Sequence, residues 1–135
     1  MRIRACQVAR TIVLSAALLV VADLGASGAR AAGDAVKGKS AFARQCAICH
    51  SVDQSGPNLF GPNLFGILHR KAGTVVGFNY SRAFKSTATW DWNEDLVAGW
   101  IGAPGQMVPG TAMGVFQGVA QSDRDDVVAY LATKQ

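Results

Sequence analysis

Two thiols and an imidazole stand together in Cys46-Ala47-Ile48-Cys49-His50. Thiols add across vinyl groups to give thioethers, and the two-residue gap matches the separation of the two vinyls of a haem; C-x-x-C-H is the attachment signature of c-type haem. His50 follows directly, so its imidazole would swing under the iron as the proximal ligand. Three other chemistries use a C-x-x-C pair. A zinc half-site needs a second Cys pair, which is missing, and the only other histidine is His69. A thioredoxin-like redox pair needs alternating strands and helices, and that pattern is missing. A plain disulfide leaves the adjacent His50 without a role.

A second axial ligand must come from elsewhere in the chain, and His69, Met107 and Met113 are the candidates. Val108-Pro109-Gly110-Thr111-Ala112-Met113 reads as a rigid turn that ends in a thioether. Pro109 fixes φ and Gly110 permits a tight bend, so Met113 is expected on a loop with no helix or strand behind it. Met107, on the same loop, reads as apolar packing. His69 precedes Arg70 and Lys71 in a polar turn and reads as an exposed or hydrogen-bonded side chain.

The rest of the chain sets the frame for these residues. It has 135 residues, 50% hydrophobic and 16% charged, with mean hydropathy +0.18. That is one domain with no room for a second sizeable core, and it is not a disordered chain. Fifteen glycines imply many turns, and three cysteines exclude a dense disulfide scaffold. Arg2, Arg4 and Arg10, the apolar run Thr11 to Ala22, and Ala29-Arg30-Ala31 have the three parts of a secretory signal peptide. Residues 1–31 are therefore read as removed and 32–135 as the functional domain, in the periplasm. An uncleaved segment would tether the same domain to the membrane, although the run is shorter than the roughly 20 residues a spanning helix needs. Cys6 lies ahead of the apolar run, where no lipoprotein cysteine sits. Of the formal charge of +4, all but +1 leaves with residues 1–31, and no Lys/Arg block survives to bind nucleic acid.

Local signals place helices around the chemistry. Asp34 can cap a helix that runs to Cys46, with Val36, Phe42 and Ala43 as its apolar stripe. Residues 51–79 are rich in Gly and Pro and read as loop. Ser81 can start a short helix to Lys85. Asn93 can cap a helix over 94–102, with Glu94 and Asp95 in its first turn and Pro104 as its stop. Ser122 to Asp125 has a capping-box-like spacing for a last helix with Lys134 near its end.

From Gly33 to Leu131 the sequence resembles the small monohaem cytochromes c, the class of mitochondrial cytochrome c and its bacterial periplasmic relatives. The residues that carry the resemblance are Gly33-Asp34 through Lys37-Gly38-Lys39 and Phe42, then CAICH, the loop Gly61-Pro62-Asn63-Leu64-Phe65-Gly66, PGTAM and Asp126-Val127-Val128-Ala129-Tyr130-Leu131. The resemblance implies an all-α fold of about four to five helices, with long loops wrapped around one covalently attached haem c. It implies that Cys46 and Cys49 carry the haem and that His50 and Met113 ligate the iron. Pro62, twelve residues beyond His50, would accept the haem-histidine N–H. Arg70, Tyr80 and Trp90 would surround the propionates, and Thr111 would belong to the cofactor site.

The resemblance also implies a one-electron Fe(III)/Fe(II) shuttle, monomeric and not an enzyme. Its partners would be membrane or periplasmic redox proteins such as a cytochrome bc complex, terminal oxidase, reaction centre or dehydrogenase. A dedicated haem subunit of one dehydrogenase or oxidase is the alternative, as is a weak peroxidase if the Met ligand is labile. Gln45, Gly105, Gln106 and Ala112 stand where mitochondrial proteins have lysines, so the docking face is less cationic. Trp100 stands where they have Tyr; it would donate to the Met113 sulfur or fill space beside it. Phe116 would cover the haem edge. The pentad Gly56-Pro57-Asn58-Leu59-Phe60, repeated at 61–65, reads as a coincidence of loop sequence.

Overall fold

The computed structural model describes residues 33–135, so the predicted signal segment lies outside the described residues. Within them the chain forms five α-helices, α1 (Ala35–Gln45), α2 (Arg82–Thr87), α3 (Glu94–Gly102), α4 (Pro104–Met107) and α5 (Gln121–Ala132), and a 3-10 turn over Ala112–Val115. The one β-type pairing among the described residues is an isolated antiparallel bridge between Lys71 and Asp91. This is the expected all-α architecture.

Side-chain caps start the first three helices. Asp34 accepts from the backbone N–H groups of Val36 and Lys37, Ser81 from that of Phe84 and Asn93 from that of Leu96. Each cap occupies N–H groups that a helix start leaves open, and such a cap contributes about 1 kcal/mol in general. α5 departs from expectation: it begins two residues earlier than a Ser122 cap would start it, at Gln121, after an Ala120 cap with no side-chain hydrogen bond. Ser122 Oγ instead donates to Asp123 Oδ1. Pro104 ends α3 as expected, but it also opens α4, because a proline at the first helical position forfeits no intrahelical bond.

α1 and α5 pack across each other as the main helix–helix contact. The buried face of α1 is Gly38, Ala41 and Phe42. Val36, predicted on that face, is 78% exposed, and Ala43 is exposed as well. The contact sits on the small residues at 38 and 41 and not on the branched one. Phe42 meets Tyr130 with ring centroids 5.5 Å apart, beside Val127 and Leu131 of α5. A second core holds Phe84, Trp92 and Trp100, with Phe84 and Trp100 crossing edge-to-face at 5.2 Å. Between the two cores lies the site.

Gly38 sets how close the helices come. A Cβ there would collide with the Asp126 carbonyl of α5. Alanine favours a helix interior by about 1 kcal/mol over glycine, whereas forcing volume into a packed contact costs about 1–3 kcal/mol or more. Backbone cannot move aside as a flexible side chain can, so the clash dominates. Gly38→Ala is expected to lower the denaturant midpoint by the equivalent of about 2 kcal/mol; an unchanged or raised midpoint would contradict the close crossing.

Candidate cofactor site

A single apolar cavity of about 470 Å³ brings most of the sequence-predicted residues together: Cys46, Cys49, His50, Pro62, Tyr80, Thr111 and Met113 all line it. Such a volume falls within the roughly 300–1,000 Å³ of pockets that enclose small ligands and cofactors. Apolar side chains from both cores complete the wall, among them Phe42, Leu64, Phe84, Val97 and Leu131. Phe116 lines it too, as expected, beside Val115.

The C-terminal end of α1 delivers the thiols and the imidazole. The chain leaves the helix in a tight turn in which the N–H groups of Cys49 and His50 both donate to the Cys46 carbonyl. His50 Nδ1 lies 2.8 Å from the Pro62 carbonyl oxygen; that oxygen can only accept, so Nδ1 carries the proton and Nε2 keeps its lone pair. Burial holds His50 below its ordinary pKa, partly offset by the Pro62 bond, so the imidazole is neutral, as metal ligation requires. Gly61 makes the approach possible, since a Cβ there would strike the His50 ring. Burial pushes the Cys46 thiol up to about 11, with the neighbouring Cys49 adding to the rise. Both cysteines are free thiols.

Met113 comes from the other side of the sequence. It does not sit on an irregular loop as predicted: it is the second residue of the 3-10 turn Ala112–Val115. Gly110, at φ 82°, provides the bend before it, and Val108 and Val119, both essentially fully buried, pin the segment at its two ends. Trp100 Nε1 donates to the Met113 sulfur at 3.0 Å, so the indole is a donor and not only filler. Met107 stays outside the cavity wall and packs on the core, with its sulfur in the space beside Gly99. His69 is exposed in its turn, at φ 67°, and does not line the cavity.

Two of the predicted residues do not reach the wall. Arg70 donates to the carbonyls of Phe65 at 2.8 Å and Asn63 at 3.1 Å, bracing the loop that carries Pro62. Trp90 also lies outside the wall, and its buried Nε1 has no partner among the described residues. The tryptophans in the wall are Trp92 and Trp100, and Trp92 takes the place predicted for Trp90. Its place is set by a short ladder in which Trp92 N–H donates to the Arg70 carbonyl and His69 N–H to the Trp92 carbonyl. Trp90 and Trp92 are two apart, so alternation alone puts both on one side of an extended segment; only the packing separates them. Tyr80 lines the cavity, and its hydroxyl accepts from the Val75 N–H at 3.3 Å. Burial, the main cause, raises the Tyr80 pKa, against opposing effects of the Val75 hydrogen bond and Arg70.

This donor set fits a haem. Two thiols, a neutral imidazole with Nε2 free and a thioether face one apolar space, and the indole and phenol of Trp92 and Tyr80 stand in the same wall. Among the described residues no cluster of three or more His, Cys, Asp or Glu suits a bare metal ion.

The comparisons with known proteins point to one family. The family model "Cytochrome c" matches residues 35–135. A cytochrome c of Gibberella zeae is 40% identical over 102 residues, covering 75% of this chain and 94% of the relative. A cytochrome c of Gossypium barbadense is 40% identical over 100 residues, covering 73% and 88%. A cytochrome c2 of Rhodomicrobium vannielii is 40% identical over 119 residues, covering 87% and 93%.

The close approach of Gly61 to the His50 ring gives a direct test. Gly61→Ala is expected to displace the ring and break its bond to Pro62, lowering holoprotein stability by about 1–3 kcal/mol. Denaturant unfolding together with the His50 ring resonances in NMR would show it; wild-type values for both would contradict the assignment.

Proposed function

The chain belongs to the cytochrome c family, whose members bind one haem c covalently and transfer electrons, and we propose that it is a diffusible one-electron carrier with His50 and Met113 as axial ligands. The reading rests on one observation: His50, with Nδ1 occupied by Pro62, and Met113, with its sulfur held by Trp100, line the same apolar cavity as Cys46 and Cys49. The thiols of Cys46 and Cys49 would each hold the cofactor through a thioether. When bound, the haem iron supplies an Fe(III)/Fe(II) couple.

The protein's own residues would shape that couple. His50 and Met113 would together occupy the iron's two remaining positions and so exclude oxygen and substrate, which would separate a carrier from a peroxidase. The neutral thioether of Met113 favours Fe(II), and Met/His ligation raises the potential. The apolar wall acts in the same direction, since a dry site disfavours the extra positive charge of Fe(III). The Pro62 and Trp100 hydrogen bonds hold the His50 ring and the Met113 sulfur in place, which would keep rearrangement on electron transfer small. Tyr80 and Trp92, with Thr111, would meet the polar edge of the cofactor, and Arg70 would act on that edge from behind the loop it braces.

Export to the periplasm is part of the proposal. Residues 1–31 have the three parts of a signal peptide, and the match to the cytochrome c2 of Rhodomicrobium vannielii, over 87% of this chain, is longer than residues 33–135 and so reaches into that leading segment. The partners would be membrane or periplasmic redox proteins, met through a small, transient interface. Uncharged Gln45, Ala47 and Ile48 flank the thiols in sequence, and Arg44 beyond them lies 3.9 Å from Asp123.

Met113→Ala is expected to give a folded holoprotein whose reduced form binds carbon monoxide and whose potential falls. A visible spectrum and potential identical to wild type, with no carbon monoxide binding, would overturn the ligand assignment.

A further inference from the structure

The pentad Gly56-Pro57-Asn58-Leu59-Phe60 is followed at once by its copy, Gly61-Pro62-Asn63-Leu64-Phe65. The structure uses both copies. His50 Nδ1 donates to the Pro62 carbonyl at 2.8 Å, and the next side chain, Ser51 Oγ, donates to the equivalent carbonyl of Pro57 at 2.6 Å. The asparagines are coupled as well: the backbone N–H of Asn63 donates to Asn58 Oδ1 at 2.9 Å, and Asn58 Nδ2 donates to the Val76 carbonyl at 3.0 Å.

The Pro62 carbonyl and the Asn63 N–H are the two ends of one planar peptide group. A single chain of hydrogen bonds therefore runs from Asn58 Oδ1 through that peptide to the ring of His50. An acceptor at the N–H end of an amide polarises it and makes its carbonyl a stronger acceptor. A stronger pull on Nδ1–H makes the other ring nitrogen a better donor to a metal. Asn58 also has a fixed orientation, because its amide is tied to the Val76 carbonyl on the far side of the loop.

We propose that Asn58 is a positioning residue for His50, acting through the Pro62–Asn63 peptide to set how strongly the imidazole donates to the iron. The proposal rests on the reading of His50 as an axial ligand. The first pentad is thus the support of the second, and its asparagine does for the peptide what the Pro62 carbonyl does for the ring.

Simple bracing of the loop is a separate effect, and the Asn63 side chain supplies a share of it without touching the peptide N–H that Asn58 accepts from. Asn63 Nδ2 donates to the carbonyls of Asp53 and Gly56, and Asn63 Oδ1 accepts from the Phe65 N–H. Asn63→Ala removes those three bonds yet keeps the backbone N–H that faces Asn58. Asn58→Ala removes the acceptor.

The test compares Asn58→Ala, Asn58→Asp and Asn63→Ala with wild type as holoproteins. The readouts are the His50 Nδ1–H proton resonance of the ferrous form and the ferrous-to-ferric ratio at a fixed ambient potential. Asn58→Ala is expected to move the resonance upfield and raise the ratio, by up to about twofold for the loss of one cooperative bond. Asn58→Asp, which keeps the acceptor and loses only the Val76 tie, is expected to hold the resonance at or downfield of wild type. Asn63→Ala is expected to lower stability and leave the resonance in place. A wild-type resonance in Asn58→Ala with low-spin iron intact, or an equal shift in Asn63→Ala, would overturn the role of Asn58 alone. His50→Ala retaining a wild-type low-spin spectrum would overturn the ligand reading itself, and the role of Asn58 with it.

Discussion

The hydrogen bond between His50 Nδ1 and the Pro62 carbonyl is the constraint on which the rest of the site depends. It leaves one ring nitrogen of a buried, neutral imidazole to face the cavity. Its geometry requires glycine at 61, because any side chain there would occupy the ring's position. It also requires a loop held in place without helix or strand. Between residues 51 and 79 the backbone makes turns and bends, and such a length of irregular chain is uncommon in a compact domain. The loop's polar groups are met by scattered backbone bonds and by side chains: Asn63 bonds to two carbonyls and one N–H, Arg70 donates to two further carbonyls, and Asn58 ties the loop to Val76. These bonds satisfy backbone that would otherwise need secondary structure.

The two helical cores are arranged about the same space. Phe42, Val127 and Leu131 belong to the α1–α5 contact and also line the cavity. Phe84, Trp92 and Trp100 form the opposing aromatic core and line it too. A cofactor that fills the cavity is therefore a part of the hydrophobic core, contacted by side chains that the helices must in any case bury. Trp100 links packing to chemistry most directly: its rings pack edge-to-face in the aromatic core while its N–H holds the Met113 sulfur.

Much of this was legible in the sequence, because the strongest signals are local. Asp34, Ser81 and Asn93 each announce a helix start by a side chain that bonds within three residues, and all three caps form. The cysteines and His50 needed no knowledge of distant contacts, the family resemblance supplied Pro62, and these residues meet at one cavity. The departures arise where tertiary packing decides. Periodicity gave Val36 to the buried face of α1, but close approach to α5 selects the small residues on the neighbouring face. Trp90 and Trp92 share an alternation phase and both pack near Phe84, so alternation could not tell which of them lines the wall, and Trp92 does. Ser122 has the composition of a cap, yet α5 starts before it. The tandem pentad looked like a coincidence because its use is three-dimensional: one asparagine grips the peptide of the other.

The measurement closest to the central claim is peptide mapping by mass spectrometry of the holoprotein after extraction with acidified organic solvent. The account requires the pigment to stay with the polypeptide, with the mass of one haem on the fragment that contains Cys46, Cys49 and His50. Pigment recovered in the organic phase, with Cys46 and Cys49 left as free thiols or joined to each other, would contradict it.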